Sequence, residues 1–382
     1  MIQKTEIYRN PFKFGEVVKG EDFADRKKEV KEIIEDVYNS VNIFLISPRR
    51  YGKTSLIMKV FEELSERNFI KIFIDFYTIS DVNHLLQKLS SEIIKNSYKK
   101  LNLVMERIKD FFTSVKPLVK LTADGSFVLD FERIDKTMLI EEVLDLPGKV
   151  TEERRKRMVI VFDEFQEVRN FNGCNIEKIM RAKFQHHDRV SYIFMGSKER
   201  IMEEMVTLPE SPFYNLGKII YLDKIPIDEF KRFIWKKFTS TGFKVEESVI
   251  EKILDFTNNI PYYVQMFCYN LWNEKLWEKK IRLSDIEDCV KKIVKQNESY
   301  FIEIWDNLTS YQRRVLIALA NKEVDERIYS YSFIRRFNLK SISSLQKAVA
   351  AIIKKRILHN KKEEMKFTDP FFCYWIKSEF SL

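Results

Sequence analysis

The chain has 382 residues, 45% of them hydrophobic and 32% charged, which suits two or three packed domains and excludes the disordered and fibrous classes. No apolar run reaches the ~18 residues of a membrane-crossing helix, residues 1–20 lack the apolar stretch of a secretory signal, and Cys174, Cys268, Cys289 and Cys373 lie too far apart for a disulfide framework or a zinc site. These features lead to the expectation of a cytoplasmic protein that does not enter a membrane. The net charge is +9, and residues 308–382 carry 15 Lys and Arg against 7 Asp and Glu, or +8 of that total, so an anionic partner is expected at that end.

In chain order, Asn10–Gly20 reads as an extended lead-in. Asp25–Ser40 has helical spacing (Val30, Ile33, Ile34, Val37), and Asn42–Ile46 is a short apolar strand. A turn over Ser47–Lys53 leads to a helix over Thr54–Asn68, a strand over Phe69–Asp75 and a helix over Val82–Lys100. This βαβα order predicts a parallel α/β sheet with helices on both faces. Leu118–Thr122 and Phe127–Phe131 flank Ala123-Asp124-Gly125-Ser126 and predict a hairpin inserted into the alternation. The alternation resumes with a segment over Lys136–Leu146, strands at Met158–Phe162, Ser191–Met195 and Ile219–Leu222, and a helix at Asn175–Gln185. His186 and His187 read as solvated helix-end residues.

Beyond Ile227 the strand signals stop, and helical spacing recurs over 227–241, 246–258, 262–277 and 284–306. Helices over Ser310–Ala320, Tyr331–Phe337 and Ser341–Lys355 follow. Two short strands, Arg356–His359 and Glu364–Thr368, then bracket a lysine-rich turn, which makes a winged helix-turn-helix. The predicted domains are 1–224, an α/β core with the hairpin insertion at about 118–131; 225–307, a helical lid; and 308–382, the winged helix.

Ser47-Pro48-Arg49-Arg50-Tyr51-Gly52-Lys53-Thr54 fits the phosphate loop G-x-x-x-x-G-K-[ST] everywhere except its first position, where Ser47 replaces Gly. An apolar strand precedes it and a helix follows, so backbone N–H groups at the helix start can cradle phosphate oxygens. Lys53 would neutralise the β- and γ-phosphates, Thr54 would reach a magnesium ion, and Ser55 extends the loop. Met158-Val159-Ile160-Val161-Phe162-Asp163-Glu164 supplies the second half, with Asp163 for Mg2+ and Glu164 to polarise the attacking water. Ser197, after the strand Ser191–Met195, is a candidate γ-phosphate sensor, with helix capping before Glu199 as the plainer alternative. The expected chemistry is ATP plus water to ADP and phosphate.

Asn10-Pro11-Phe12 with Asp25-Arg26, Pro48 to Leu56, and Phe162-Asp163-Glu164-Phe165-Gln166 together resemble the prokaryotic, archaeal-type AAA+ ATPase family. That family is related to the signal-transduction ATPases and to replication-initiator ATPases of the origin-recognition kind. The resemblance implies the same three parts, an α/β core, a helical lid and a C-terminal winged helix. It also implies that Asp25 and Arg26, near Phe23, help to hold the adenine, and that Asn259-Ile260-Pro261 corresponds to a G-x-P motif of the lid, with Pro261 near the nucleotide. A basic residue that reaches a neighbour's γ-phosphate would correspond to Lys218, with Arg200 as a second candidate. Asp369-Pro370-Phe371-Phe372 with Trp375 resembles the family's ending and is expected to pack the winged helix onto its own core.

Ser343, Ser344, Gln346 and Lys347 lie on the polar side of the predicted recognition helix and suit contact with duplex DNA, while Lys361, Lys362 and Lys366 of the wing could meet phosphates. Three functions follow. One is an ATP-controlled switch that binds double-stranded DNA, with nucleotide-dependent self-association. Another is a signalling ATPase acting on a protein partner without touching DNA. A small-molecule kinase is the third, and no acceptor site supports it.

Overall fold

A computed structural model of the protein describes residues 9–18, 20–24, 26–98, 101–123, 127–131, 136–171, 175–323, 326–361 and 364–380. It divides into two compact units: Gly15–Ile225, and the lead-in up to Phe14 together with Pro226–Leu382.

The first unit is built on five parallel strands, β1 (Ile43–Ile46), β2 (Phe69–Asp75), β5 (Arg157–Asp163), β6 (Val190–Gly196) and β7 (Lys218–Tyr221). The hairpin strands β3 (Leu118–Leu121) and β4 (Phe127–Asp130) intervene in sequence and pair with each other, Leu118 opposite Asp130. The sheet order is β2-β5-β6-β1-β7. Each inner strand is apolar on both faces because helices cover both sides. On one face Phe44, Ile72, Phe162 and Phe194 pack with the helices Val82–Ser97, Lys136–Arg154 and Ile176–Phe184. On the other, Leu45, Val161 and Ile193 pack with Lys27–Tyr38 and Lys53–Glu63. Since every strand runs the same way, the loops that follow β1, β5 and β6 gather at one end of the sheet, where open α/β sheets bind ligands.

Several elements differ from expectation. Leu101–Phe111 is a helix where the sequence predicts no element, a helix does start at Glu199 and runs to Thr207, and Lys136–Arg154 runs eight residues beyond Leu146. Pro147 lies inside that last helix. His187 is not a solvated helix-end residue. Its Nδ1 lies 2.7 Å from the hydroxyl of the fully buried Tyr192, and burial pushes its imidazole down to about 4 from the ordinary 6.5. A depressed imidazole favours the fold while neutral, so its contribution is complete above pH 6.5 and lost as pH falls towards 4. Melting temperature is therefore expected to fall between pH 6.5 and 4, by the equivalent of about 3 kcal/mol at most. His187→Gln should flatten that slope, and an unchanged slope would mean that His187 is not its source.

The second unit is helical, apart from two short sheets. Two-residue strands β8 (Lys244–Val245) and β9 (Lys280–Ile281) form a small parallel pair. The predicted helix over 284–306 is two helices, Leu283–Gln296 and Glu298–Asp306, separated at Asn297. Asn10 and Phe12 belong to this unit: the Asn10 amide donates to the Tyr269 carbonyl at 3.0 Å, and the Phe12 ring lies 4.6 Å from that of Phe238.

The winged helix comprises the helices Ser310–Ala320, Tyr331–Arg336 and Ile342–Lys354, the antiparallel strands β10 (Leu358–Lys361) and β11 (Glu364–Phe367), and a closing helix Pro370–Glu379. Thr309, Ser330, Ser341 and Asp369 cap the four helices with side-chain hydrogen bonds. The closing aromatics divide their packing. Phe372 and Trp375 meet Phe301, whereas Phe371 packs on Phe256 and Phe267 of the preceding helices. No helix among the described residues is long and apolar enough to cross a membrane.

Candidate functional site

The segment Ser47–Gly52 joins the tip of β1 to the helix Lys53–Glu63. The left-handed positions of this loop are Arg50 (φ 72°) and Gly52 (φ 87°), and Ser47 is not among them. The missing first glycine therefore carries no conformational cost. Ser47 is fully buried, and a hydroxymethyl group fits there. Gly52 needs its freedom because of φ alone, since a Cβ there would meet nothing within 4 Å.

Lys53 is 7% exposed, and its ammonium donates to the carbonyls of Ser47 (2.9 Å) and Pro48 (3.3 Å). Burial pushes its pKa down, while Glu164 and Asp163 work in the opposite direction. The Thr54 hydroxyl donates to Asp163 Oδ2 at 3.2 Å, and the other Asp163 oxygen accepts from the Glu164 N–H at 2.9 Å. Burial raises the Asp163 carboxyl above the usual carboxylate range. Ser55 accepts from the Val18 N–H at 3.1 Å. Tyr51 is buried, and Arg49 and Arg50 are exposed.

Glu164 has left-handed backbone, φ 48°. This unusual conformation aims its side chain towards β6, where Oε2 accepts from the Ser197 hydroxyl at 2.8 Å and from the Gln166 amide at 2.5 Å. Arg49 Nε in turn donates to Ser197 at 3.4 Å, so the phosphate loop, β5 and β6 meet through Ser197. Gln166, which the resemblance names without a role, is 2% exposed. Its amide oxygen lies where a Cβ on Gly196 would stand, only 2.4 Å away, and so Gly196 must be glycine for Gln166 to reach Glu164.

Arg26 does something the resemblance did not imply. It is 2% exposed with φ 122°, and its guanidinium binds Glu29 (3.2 Å), the Tyr51 carbonyl (3.0 Å) and the Asp223 carbonyl (2.8 Å). It braces the phosphate loop from behind. Its neighbour Asp25 lies outside the described residues. Lys218, the residue that the resemblance offers for a neighbour's phosphate, is engaged within its own chain. It starts β7, at the end of the sheet opposite the phosphate loop, and its ammonium pairs with Glu32 (2.9 Å) and Asp36 (2.8 Å). Those carboxylates raise its pKa. Arg200 is 91% exposed and, among the described residues, pairs with Glu204 one turn on, at 2.9 Å. Pro261 belongs to the other unit and opens the helix Pro261–Glu274, after Asn258 and Asn259 in left-handed turns (φ 52° and 55°). Asparagine thus fills the place the motif gives to glycine.

On the helix Ile342–Lys354, Ser343, Gln346 and Lys347 are exposed and Ser344 half-buried. The Ser341 hydroxyl lies 3.1 Å from that of Ser343 and 3.0 Å from that of Ser344, so both serines take part in the helix cap. Lys366 sits on β11 opposite His359 and is half-buried. The side chain of Lys361, and all of Lys362, lie outside the described residues.

Residues 23–267 match the family described as an ATPase domain predominantly from Archaea, and residues 299–378 match one described as "Probable winged helix domain". A Walker-type ATPase of Pyrococcus abyssi has a similar structure at 18% identity, covering 94% of this chain and 97% of that one, with a TM-score of 0.64. The ORC2 protein of Aeropyrum pernix, solved in ADPNP–ADP complexes, is similar at 11% identity over 98% of this chain and 99% of that one, with a TM-score of 0.57. At these identities the likeness establishes the fold. No curated protein sequence matches the chain.

Proposed function

The chain belongs to the ATPase family found predominantly in Archaea and carries a C-terminal winged helix, and from this premise we propose that it is an ATP-hydrolysing switch whose nucleotide state governs duplex-DNA binding by that winged helix. The observation that carries the nucleotide half is the convergence of Lys53, Thr54, Asp163, Glu164 and Ser197 at one end of the sheet, within the hydrogen-bond distances given above. ATP would lay its phosphates along the N–H groups that open the helix Lys53–Glu63. The Lys53 ammonium would leave the Ser47 and Pro48 carbonyls for the β- and γ-phosphates. The nucleotide complexes of the Aeropyrum pernix protein, which shares the fold, support this reading.

Thr54 and Asp163 fit a magnesium ion. A hydroxyl and a carboxylate oxygen, 3.2 Å apart and partly buried, are the hard donors that Mg2+ selects. Among the described residues no cluster of three or more His, Cys, Asp or Glu could hold a metal, which agrees with an ion completed by water and phosphate oxygens. The ion would neutralise charge building on the phosphates. Among the described residues Glu164 accepts hydrogen bonds on Oε2, and Oε1 would take a proton from the attacking water. Ser197, shared between Glu164 and Arg49, would register the γ-phosphate when Arg49 turns to it.

The charge of residues 308–382 supports the DNA half. Exposed Gln346 and Lys347 would approach the major groove, and Lys361, Lys362 and Lys366 the phosphates. Duplex binding is to be measured with ATP, with ADP and without nucleotide at two salt concentrations. Reversing Lys347 and Lys366 to Glu should weaken binding about tenfold or more and flatten the salt dependence, because each phosphate contact releases counterions. Unchanged duplex affinity would remove DNA as the partner and leave a signalling ATPase that acts through a protein.

A further inference from the structure

At the end of the sheet where β2 begins, a recess of about 590 Å3 opens between the strand and the ends of two helices. Four cations line it, Lys71, Lys95, Arg154 and Lys156, against one carboxylate, Glu66. Its floor is apolar and closed, with Phe69 and Ile70 each 3% exposed and Tyr98 4%. β2 has seven residues, so the recess lies about 20 Å along the strand from the phosphate loop's end of the sheet.

Two of the cations have an ordinary explanation. Lys95 and Arg154 stand in the last turns of the helices Val82–Ser97 and Lys136–Arg154, where the helix dipole favours positive charge. Lys71 and Lys156 do not share it. Lys71 lies within β2 and is half-buried, and Lys156 stands just before β5. Among the described residues none of the four forms an ion pair. The Lys71 ammonium donates to the Phe61 carbonyl and Lys156 to the Glu66 carbonyl at 2.9 Å. An ammonium has three donors, so both keep donors for an anion. Burial pushes the Lys71 ammonium below its ordinary value, with Glu66 only partly offsetting it. Arg154 lies over the Tyr98 ring at 5.1 Å, making a flat wall of cation and aromatic. The volume is that of a small-molecule site.

We propose that this recess binds a small organic phosphate, its phosphoryl group held by Lys71, Lys95 and Lys156 and its body lying along Tyr98 and Arg154. Nothing in the proposed hydrolysis uses these residues, so this site and the phosphate-loop site can be tested separately.

Inorganic pyrophosphate serves as the probe, titrated calorimetrically into the full chain after Mg-ADP has filled the phosphate loop. The expected result is one further site, at least tenfold weaker in the double variant Lys71→Gln/Lys156→Gln, whose ADP binding stays as in the parent. Reductive labelling with pyridoxal 5′-phosphate and borohydride, mapped by mass spectrometry, gives a second readout. Lys71 should be modified ahead of the exposed lysines, and pyrophosphate should suppress it. No second site, or one that the double variant leaves intact, overturns the proposal. Loss of ADP binding with the second site preserved would instead count against the phosphate-loop reading.

Discussion

Glu164→Gln is expected to lower single-turnover ATP hydrolysis by about 10²–10⁴-fold, the usual contribution of a positioned general base. ATP affinity should stay near that of the parent, because Glu164 is not among the groups assigned to the phosphates. Glutamine has the same shape and cannot take a proton from water. Its amide oxygen can still accept from Ser197 and Gln166, as Oε2 of Glu164 does at 2.8 and 2.5 Å, so the β5–β6 junction should hold and the melting temperature should be kept. Phosphate release in a single turnover, beside a separate nucleotide titration, distinguishes the two effects. A fall of less than about tenfold would remove Glu164 from the role of base, since a base contributes more than that. Turnover lost together with affinity would mean that the substitution had disturbed the loop and not only the proton transfer.

The parts of the site legible in the sequence were those carried by local pattern. An apolar strand, a glycine before lysine, and paired acids after five apolar residues each leave a mark within ten residues of themselves. What the sequence hid depends on side chains that meet across the fold. Gln166 belongs to the motif that carries the resemblance, but its role is not local, since it reaches Glu164 beside a position on Gly196 that a Cβ would crowd. Arg26 carries a positive charge near a phosphate site, yet its guanidinium is spent on Glu29 and two backbone carbonyls. Lys218 stands at the end of the sheet opposite its own phosphate loop, a placement that needs the register of β1 with β7. The lead-in has the pattern of extended chain, and nothing local reveals that Asn10 and Phe12 pack in the helical unit on Tyr269 and Phe238. The same limit holds for Lys71 and Lys156, 85 positions apart in the sequence and both lining one recess in the fold.

Lys53→Met should weaken ATP binding by about 10- to 100-fold, the equivalent of one charge-assisted hydrogen bond to phosphate, and should lower hydrolysis by a further ~10²-fold or more through lost charge stabilisation. Methionine keeps much of the length of the lysine stem, and so the buried position, 7% exposed, should still be filled and the unit should still fold. Two further changes follow at the site itself. The Ser47 and Pro48 carbonyls lose their donor at 2.9 and 3.3 Å, which loosens the loop. Asp163, already raised by burial, loses the cation that held it down, so it should be protonated at a higher pH and offer magnesium a poorer ligand. The weakening of binding is therefore expected to be larger with Mg-ATP than with ATP in chelator. Titrating both into parent and variant measures the difference. Equal weakening in the two would place the whole effect on the lysine–phosphate contact. Affinity within about threefold of the parent, less than 1 kcal/mol, would mean that the ammonium stays on the loop carbonyls when nucleotide binds, and the assignment of Lys53 to the phosphates would fall.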